Sequence, residues 1–212
     1  MKFTAIFFDL DDTLYPSHVG LWNAIKERMN KYMRERMNIP AEEIPALREK
    51  YYLQYGTTLH GLRMGHKVDM QDFLAYVHDL PLADYLTPDP ALRSVIAALP
   101  TRKLIFTNAD LPHAERVLAA LNLRDLFSAI VDINAIDPYC KPMPESFEIA
   151  MKIAGESDPS RCVMIDDLPR TVRAAKQAGM TGILYGGTAA NGDADAGFSD
   201  WNELRGILED LS

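Results

Sequence analysis

Two carboxylates spaced two apart close an apolar run near the start of the chain, where Phe3-Thr4-Ala5-Ile6-Phe7-Phe8 leads into Asp9-Leu10-Asp11-Asp12-Thr13-Leu14. Strand side chains alternate with a period of two, so the spacing predicts that Asp9 and Asp11 face the same way. In open α/β sheets, ligands collect outside the carboxyl ends of the strands. Carboxylates held close together repel, raise one another's pKa, or share a hard cation such as Mg2+, which takes oxygen ligands. Such a pair needs a metal or a proton. An Asp-rich strand end also suits a turn or a helix cap. Against that stands a second doublet, Asp166-Asp167, which ends the apolar run Val163-Met164-Ile165 and precedes a helical stretch. Two acidic strand ends can converge on one metal. Between them lie Leu104-Ile105-Phe106-Thr107-Asn108 and, after Val131-Asp132-Ile133, Lys141-Pro142. A hydroxyl, an amide and an ammonium group complete a site for an anion.

The elements that must carry these groups follow from periodicity. Strand-like runs near residues 4–9, 103–107, 129–133, 162–166 and 181–184 alternate with helix-like segments, which is the rhythm of an α/β fold with a doubly wound parallel sheet. Core helices are predicted over Pro112–Leu121, Pro144–Ala154 and Pro169–Ala178, each with proline near its first turn. Gly179 stops the third, whose amino end points its free N–H groups toward the acidic doublet. From Ser17 to Pro88 no strand is evident, and Leu21, Ile25, Met29 and Met33, then Phe73, Leu74, Val77 and Leu80, have helical spacing. The expected organisation is therefore a core of residues 1–16 and 89–212 with a helical cap, 17–88, inserted after the first strand. Met29, Met33 and Met37 read as an adaptable packing face of that cap. The small, polar stretch Gly186–Gly197 reads as a surface loop before a last helix near Asp200.

Composition bounds the rest. With 212 residues, 48% hydrophobic and 25% charged, the chain suffices for one sizeable core plus a smaller insertion. A net charge of −8 gives no overall positive field to hold a nucleic acid polymer or an acidic membrane. Two cysteines, Cys140 and Cys162, make no disulfide framework and suit free thiols in a reducing compartment. The first motif follows Lys2-Phe3 directly and no apolar run approaches about 18 residues, so a cytoplasmic location is expected, without signal peptide or membrane span.

Taken together, the four segments resemble the haloacid dehalogenase-like superfamily of phosphohydrolases, whose motifs occur in this order: Asp9 to Leu14, Thr107-Asn108, Lys141, and Asp166-Asp167. Asp12 stands where many members carry glycine. Outside these motifs, Thr13-Leu14-Tyr15-Pro16, Tyr51-Tyr52, Tyr55-Gly56-Thr57-Thr58-Leu59-His60-Gly61-Leu62, and Phe106-Thr107-Asn108-Ala109-Asp110 with His113 resemble the pyrimidine 5′-nucleotidase branch. The resemblance implies a Rossmann-like core and Mg2+-dependent phosphomonoesterase chemistry through an aspartyl-phosphate. Asp9 would be the nucleophile and Asp11 the acid and base, while Thr107, the Asn108 backbone N–H and Lys141 bind phosphate oxygens. It places Mg2+ on Asp9, the Asp11 carbonyl and Asp167, with Asp166 a direct or water-mediated partner. The implied partner is a small phosphomonoester, foremost a pyrimidine nucleoside 5′-monophosphate, with Tyr15, Tyr55, Thr57 and Thr58 contacting base or ribose. The alternatives are a phosphatase or phosphomutase for sugar phosphates or other small esters, and a non-catalytic phosphometabolite-binding protein. The five histidines show no metal-like pairing and read as surface or packing residues, with His60 and His113 as possible neighbours of the pocket. Oligomeric state is left open.

Overall fold

The computed structural model describes residues 2–189 and 192–212. Strand β1 (Ala5–Phe8) is buried at every position, as expected of a strand covered on both faces of a parallel sheet. Four strands, β2 (Arg102–Phe106), β3 (Ala129–Val131), β4 (Cys162–Asp166) and β5 (Thr181–Tyr185), continue the sheet, and β6 (Ala196–Phe198) ends it. All neighbours are parallel, and the spatial order is β3-β2-β1-β4-β5-β6, the doubly wound Rossmann order. The order reverses between β1 and β4, where the two acidic motifs end.

The chain divides into two compact units, Met1–Pro16 with Leu86–Ser212, and Ser17–Tyr85. The second contains α1 (Leu21–Met37), α2 (Ile44–Tyr55), α3 (Thr58–His66) and α4 (Met70–Val77). Residues 86–88, assigned from the sequence to the insertion, group with the sheet. Of the methionine stripe in α1, Met33 is fully buried while Met29 and Met37 are half-exposed. Helices α2 and α3 approach closely because Gly61 and Gly65 leave room for the Tyr51 ring: a Cβ on Gly61 would lie 2.2 Å from Tyr51 Cγ.

The sheet unit adds α5 (Pro90–Ala98), α6 (Leu111–Ala120), α7 (Pro144–Ala154), α8 (Pro169–Gln177) and α9 (Leu204–Asp210). Proline occupies the first turn of α5 through α8, where its missing N–H costs no hydrogen bond. The stretch read as a surface loop before the last helix contains β6. This strand is three residues long and includes Gly197, too short and too small for period-two patterning. Its place is set by partners: Gly186 N–H donates to Phe198 O at 2.8 Å and Gly182 N–H to Asp195 Oδ2 at 2.8 Å. Ala190 and Asn191 of that stretch lie outside the described residues. Among the described residues, no helix is long and apolar enough to cross a membrane.

Candidate active site

Register brings the two acidic motifs side by side. Phe8 pairs with Ile165, so Asp9 and Asp166, each one residue further, leave adjacent strands at their carboxyl ends. Asp9 N–H continues the ladder to Ile165 O at 2.9 Å. Asp11 is positioned differently from the alternating-strand expectation: β1 stops at Phe8, and residues 11–13 form a turn closed by Leu14 N–H to Leu10 O at 2.9 Å. Strand period therefore does not set its direction. Asp12 holds φ 59° in this turn, a left-handed conformation that glycine adopts freely and aspartate better than most residues. That explains how Asp replaces the more usual Gly here.

Lys141 arrives from the loop between β3 and α7. Its ammonium donates to Asp9 Oδ1 at 2.7 Å and to Asp166 Oδ2 at 2.8 Å, with the lysine side chain 4% exposed. Asn108 holds the lysine's backbone in place: its side-chain oxygen accepts from Lys141 N–H at 2.8 Å and its amide donates to Lys141 O at 3.0 Å. The Asn108 side chain thus joins the second and third motifs. Thr107, 2% exposed, accepts from Ala109 N–H at 3.0 Å, a bond that leaves its own O–H to donate elsewhere.

The acidic set satisfies one test for a metal. Asp9, Asp166 and Asp167 each offer a carboxylate oxygen within 4.8 Å of the others, an all-oxygen donor set of the kind a hard divalent cation takes. The Asp11 carboxylate is outside that set. Burial, followed by the Asp166 and Asp167 charges, pushes Asp9 well above the usual carboxylate range even against the opposing pull of Lys141. Burial and then Asp166 and Asp12 push Asp167 up to about 7. Lys141 is itself raised: burial opposes its charge, but Asp166 and Asp9 outweigh it. Negative charge at this point exceeds what one ammonium balances, and a second cation would relieve it. Asp166 also accepts Leu168 N–H at 2.9 Å, so it shapes the turn into α8 as well as pairing with lysine.

Two residues at the site were named in the sequence reading without a role there. Thr13 Oγ1 lies 3.3 Å from Asp9 Oδ2 and 3.4 Å from Asp167 Oδ1, linking the acidic motifs; its signal was its fixed place in Asp-x-Asp-x-Thr. His113, read as packing or a pocket neighbour, has a fully buried side chain with Nε2 3.0 Å from Asp11 Oδ1. Its local signal is Asp110, whose side chain caps α6 by accepting His113 N–H at 3.4 Å. Tyr15, expected at the substrate, is 3% exposed and donates its hydroxyl to Asp11 Oδ1 at 2.6 Å. In the helical unit, the Tyr55 ring stacks on His60 with centroids 5.9 Å apart. Thr57 caps α3 by accepting His60 N–H at 3.0 Å, and Thr58 is buried.

With that geometry in place, the family model for haloacid dehalogenase-like hydrolases matches residues 3–179 of the chain. The chain belongs to that family. It is 31% identical over 193 residues to "Phosphate metabolism protein 8" of Saccharomyces cerevisiae, a match covering 84% of this chain and 60% of the yeast protein. It is also 24% identical over 190 residues to "Fructose-1-phosphate phosphatase YqaB" of Escherichia coli, covering 86% and 96% of the two chains. Among solved structures, magnesium-bound YfnB of Bacillus subtilis superposes with a TM-score of 0.62 at 14% identity, covering 98% of this chain and 99% of the other.

Proposed function

We propose that this protein is a Mg2+-dependent phosphomonoesterase that works through an aspartyl-phosphate on Asp9. The observation that carries the reading is the Asp9 carboxylate held by Lys141 at 2.7 Å beside Asp166 and Asp167. Hydrolysis runs in two displacements. An Asp9 oxygen attacks phosphorus and the ester P–O bond breaks, while Asp11 passes its proton to the departing oxygen. Water then attacks the same phosphorus, gives a proton to Asp11, and the bond to Asp9 breaks to release phosphate. Thr107 O–H, Asn108 N–H and Lys141 hold the nonbridging oxygens, where negative charge lies in the transition state. Asp9, Asp167, the Asp11 carbonyl and Asp166, directly or through water, would hold Mg2+, which supplies charge neutralisation between an anionic nucleophile and an anionic substrate.

For the substrate we infer a pyrimidine nucleoside 5′-monophosphate, supported by the similarity of Thr13 to Pro16, Tyr55 to Leu62 and Phe106 to Asp110 to that nucleotidase branch. Tyr55, Thr57 and Thr58 are the residues we assign to substrate choice. A sugar phosphate is the second reading, favoured by the relative named for fructose 1-phosphate, which this chain matches over 96% of its length. The helical unit is the proposed cap, and the cytoplasm the proposed location.

The test is phosphate release from UMP, CMP, fructose 1-phosphate and other monoesters, with Mg2+ or EDTA. Metal-dependent release strongest with UMP or CMP is expected. A sugar-phosphate preference would keep the mechanism and replace the substrate, and no release from any ester would overturn the enzyme reading. Asp9→Asn should lower kcat by at least about 10³-fold, with the far-ultraviolet spectrum unchanged; appreciable turnover would remove Asp9 from the nucleophile role.

A further inference from the structure

Asp11 lies beyond the end of β1, in a turn, so nothing in the sheet orients its carboxyl group. Two side chains from different parts of the core converge on one of its oxygens. Tyr15 Oη is 2.6 Å from Asp11 Oδ1, and His113 Nε2 is 3.0 Å from the same atom. Tyr15 sits one helical turn along the chain from Asp11, whereas His113 comes from the first turn of α6. Both are buried, at 3% and 1% exposure, so water does not compete readily for these bonds. An ionised carboxylate only accepts, so His113 Nε2 carries the hydrogen and donates it. The Tyr15 phenol likewise donates its O–H to the same oxygen.

We propose that Tyr15 and His113 are positioning residues that clamp Asp11 through Oδ1, so that the proton exchanged with the leaving group is carried on Oδ2. The assignment deepens the phosphomonoesterase reading and rests on it. The chemistry favours this division of labour. If the proton enters and leaves on Oδ2, then Oδ1 remains an acceptor in both states of the carboxyl group, and neither donor has to move during a cycle. A carboxyl group able to spin between rotamers would have to be reoriented at each proton transfer; one fixed by two donors is already aligned. On this assignment Tyr15, expected from the sequence to contact base or ribose, serves Asp11 instead.

The consequence is selective for the leaving group. An alkoxide needs its proton as the ester bond breaks, whereas 4-nitrophenolate departs without one. Loss of the clamp therefore affects alkyl esters far more than aryl esters, while a merely structural defect affects both alike. The experiment measures kcat/KM, which reports the first displacement, for 4-nitrophenyl phosphate and for the best alkyl ester among UMP and fructose 1-phosphate. Wild type, Tyr15→Phe, His113→Leu and His113→Gln are compared. We expect the alkyl-to-aryl ratio of kcat/KM to fall about tenfold or more in Tyr15→Phe and in His113→Leu, a share of the roughly 10²–10⁴-fold that a general acid contributes. His113→Gln, whose amide can donate from a similar position, restores most of the ratio. Equal losses on both esters, or no recovery with glutamine, overturn the clamp while leaving the phosphatase reading intact. A wild-type protein that hydrolyses neither ester overturns both.

Discussion

Lys141 balances more charge than any other single residue of the site, and its burial makes the consequence measurable. Its ammonium lies 2.7 Å from Asp9 and 2.8 Å from Asp166, with side-chain exposures of 4%, 12% and 1%. Removing one partner of a buried ion pair leaves the other's charge uncompensated, at a cost of about 3–5 kcal/mol. Lys141→Ala should therefore lower stability by about that amount in urea titrations without metal; a loss below about 1 kcal/mol would mean that water already reaches the carboxylates. Cys162 illustrates the opposite effect of burial. Desolvation, followed by the Glu156 charge, pushes its thiol up to about 12. At pH 8 its thiolate population is of order 10⁻⁴, and the thiolate is the species that reacts. Iodoacetamide should leave Cys162 unmodified in the native protein at pH 8 and label it only after unfolding. The residues the sequence brought together most clearly were those at strand ends, Asp9 and the Asp166-Asp167 doublet, whose carboxylates lie within 4.8 Å of one another. His113 was obscured because its partner is 102 positions away, a distance over which a single sequence carries no pairing signal.

At the scale of elements, patterning found the segments with clear apolar runs and missed one strand without such a run. The helices of the insertion declared themselves by apolar spacing, and five of the six strands by their apolar runs. β6 has only Ala196, Gly197 and Phe198, so no periodicity could distinguish it from loop; it is a strand because β5 offers a parallel edge. Asp11 was placed by strand alternation on a segment that is a turn, where Tyr15, four residues on, and His113, 102 positions away, reach its Oδ1. Packing of α2 on α3 makes a further prediction. A methyl group at position 61 would sit 2.2 Å from Tyr51 Cγ, so Gly61→Ala must displace the ring and with it the Tyr51 hydroxyl, which lies 3.0 Å from His66 Nε2. Helix propensity favours alanine by about 1 kcal/mol, yet overpacking costs about 1–3 kcal/mol, and loss of the ring's contacts adds to it. Gly61→Ala should be net destabilising by about 1–2 kcal/mol in urea titrations; a stabilised variant would mean that the ring relocates freely.

For the whole molecule, a cation held at the acidic cluster would couple its own binding to folding. A ligand that binds only the native state stabilises it by RT ln(1 + [L]/Kd), about 2.7 kcal/mol at a hundredfold excess over Kd. For a chain of this size each kcal/mol moves the melting temperature by about 2–4 °C. Saturating Mg2+ should therefore raise the calorimetric transition by roughly 5–10 °C over the same protein in EDTA, and Asp167→Asn should abolish most of the rise. An unchanged transition in wild type would argue against a divalent cation at Asp9, Asp166 and Asp167. The doubly wound order itself was legible as a βαβ rhythm, but the location of the reversal point came only from the strand order.

That order also sets a schedule for synthesis. β1 is the central strand with no exposed residue, yet its neighbours are β2, beginning at Arg102, and β4, beginning at Cys162. At about 5–20 residues per second, the ribosome takes roughly 5–19 s to reach the first neighbour and longer to reach the second. Throughout that interval the emerging polypeptide carries an apolar strand with nothing in the sheet to shield it. The segment that leads into Asp9 is thus also the one that a holdase chaperone would be best placed to grasp on the nascent chain.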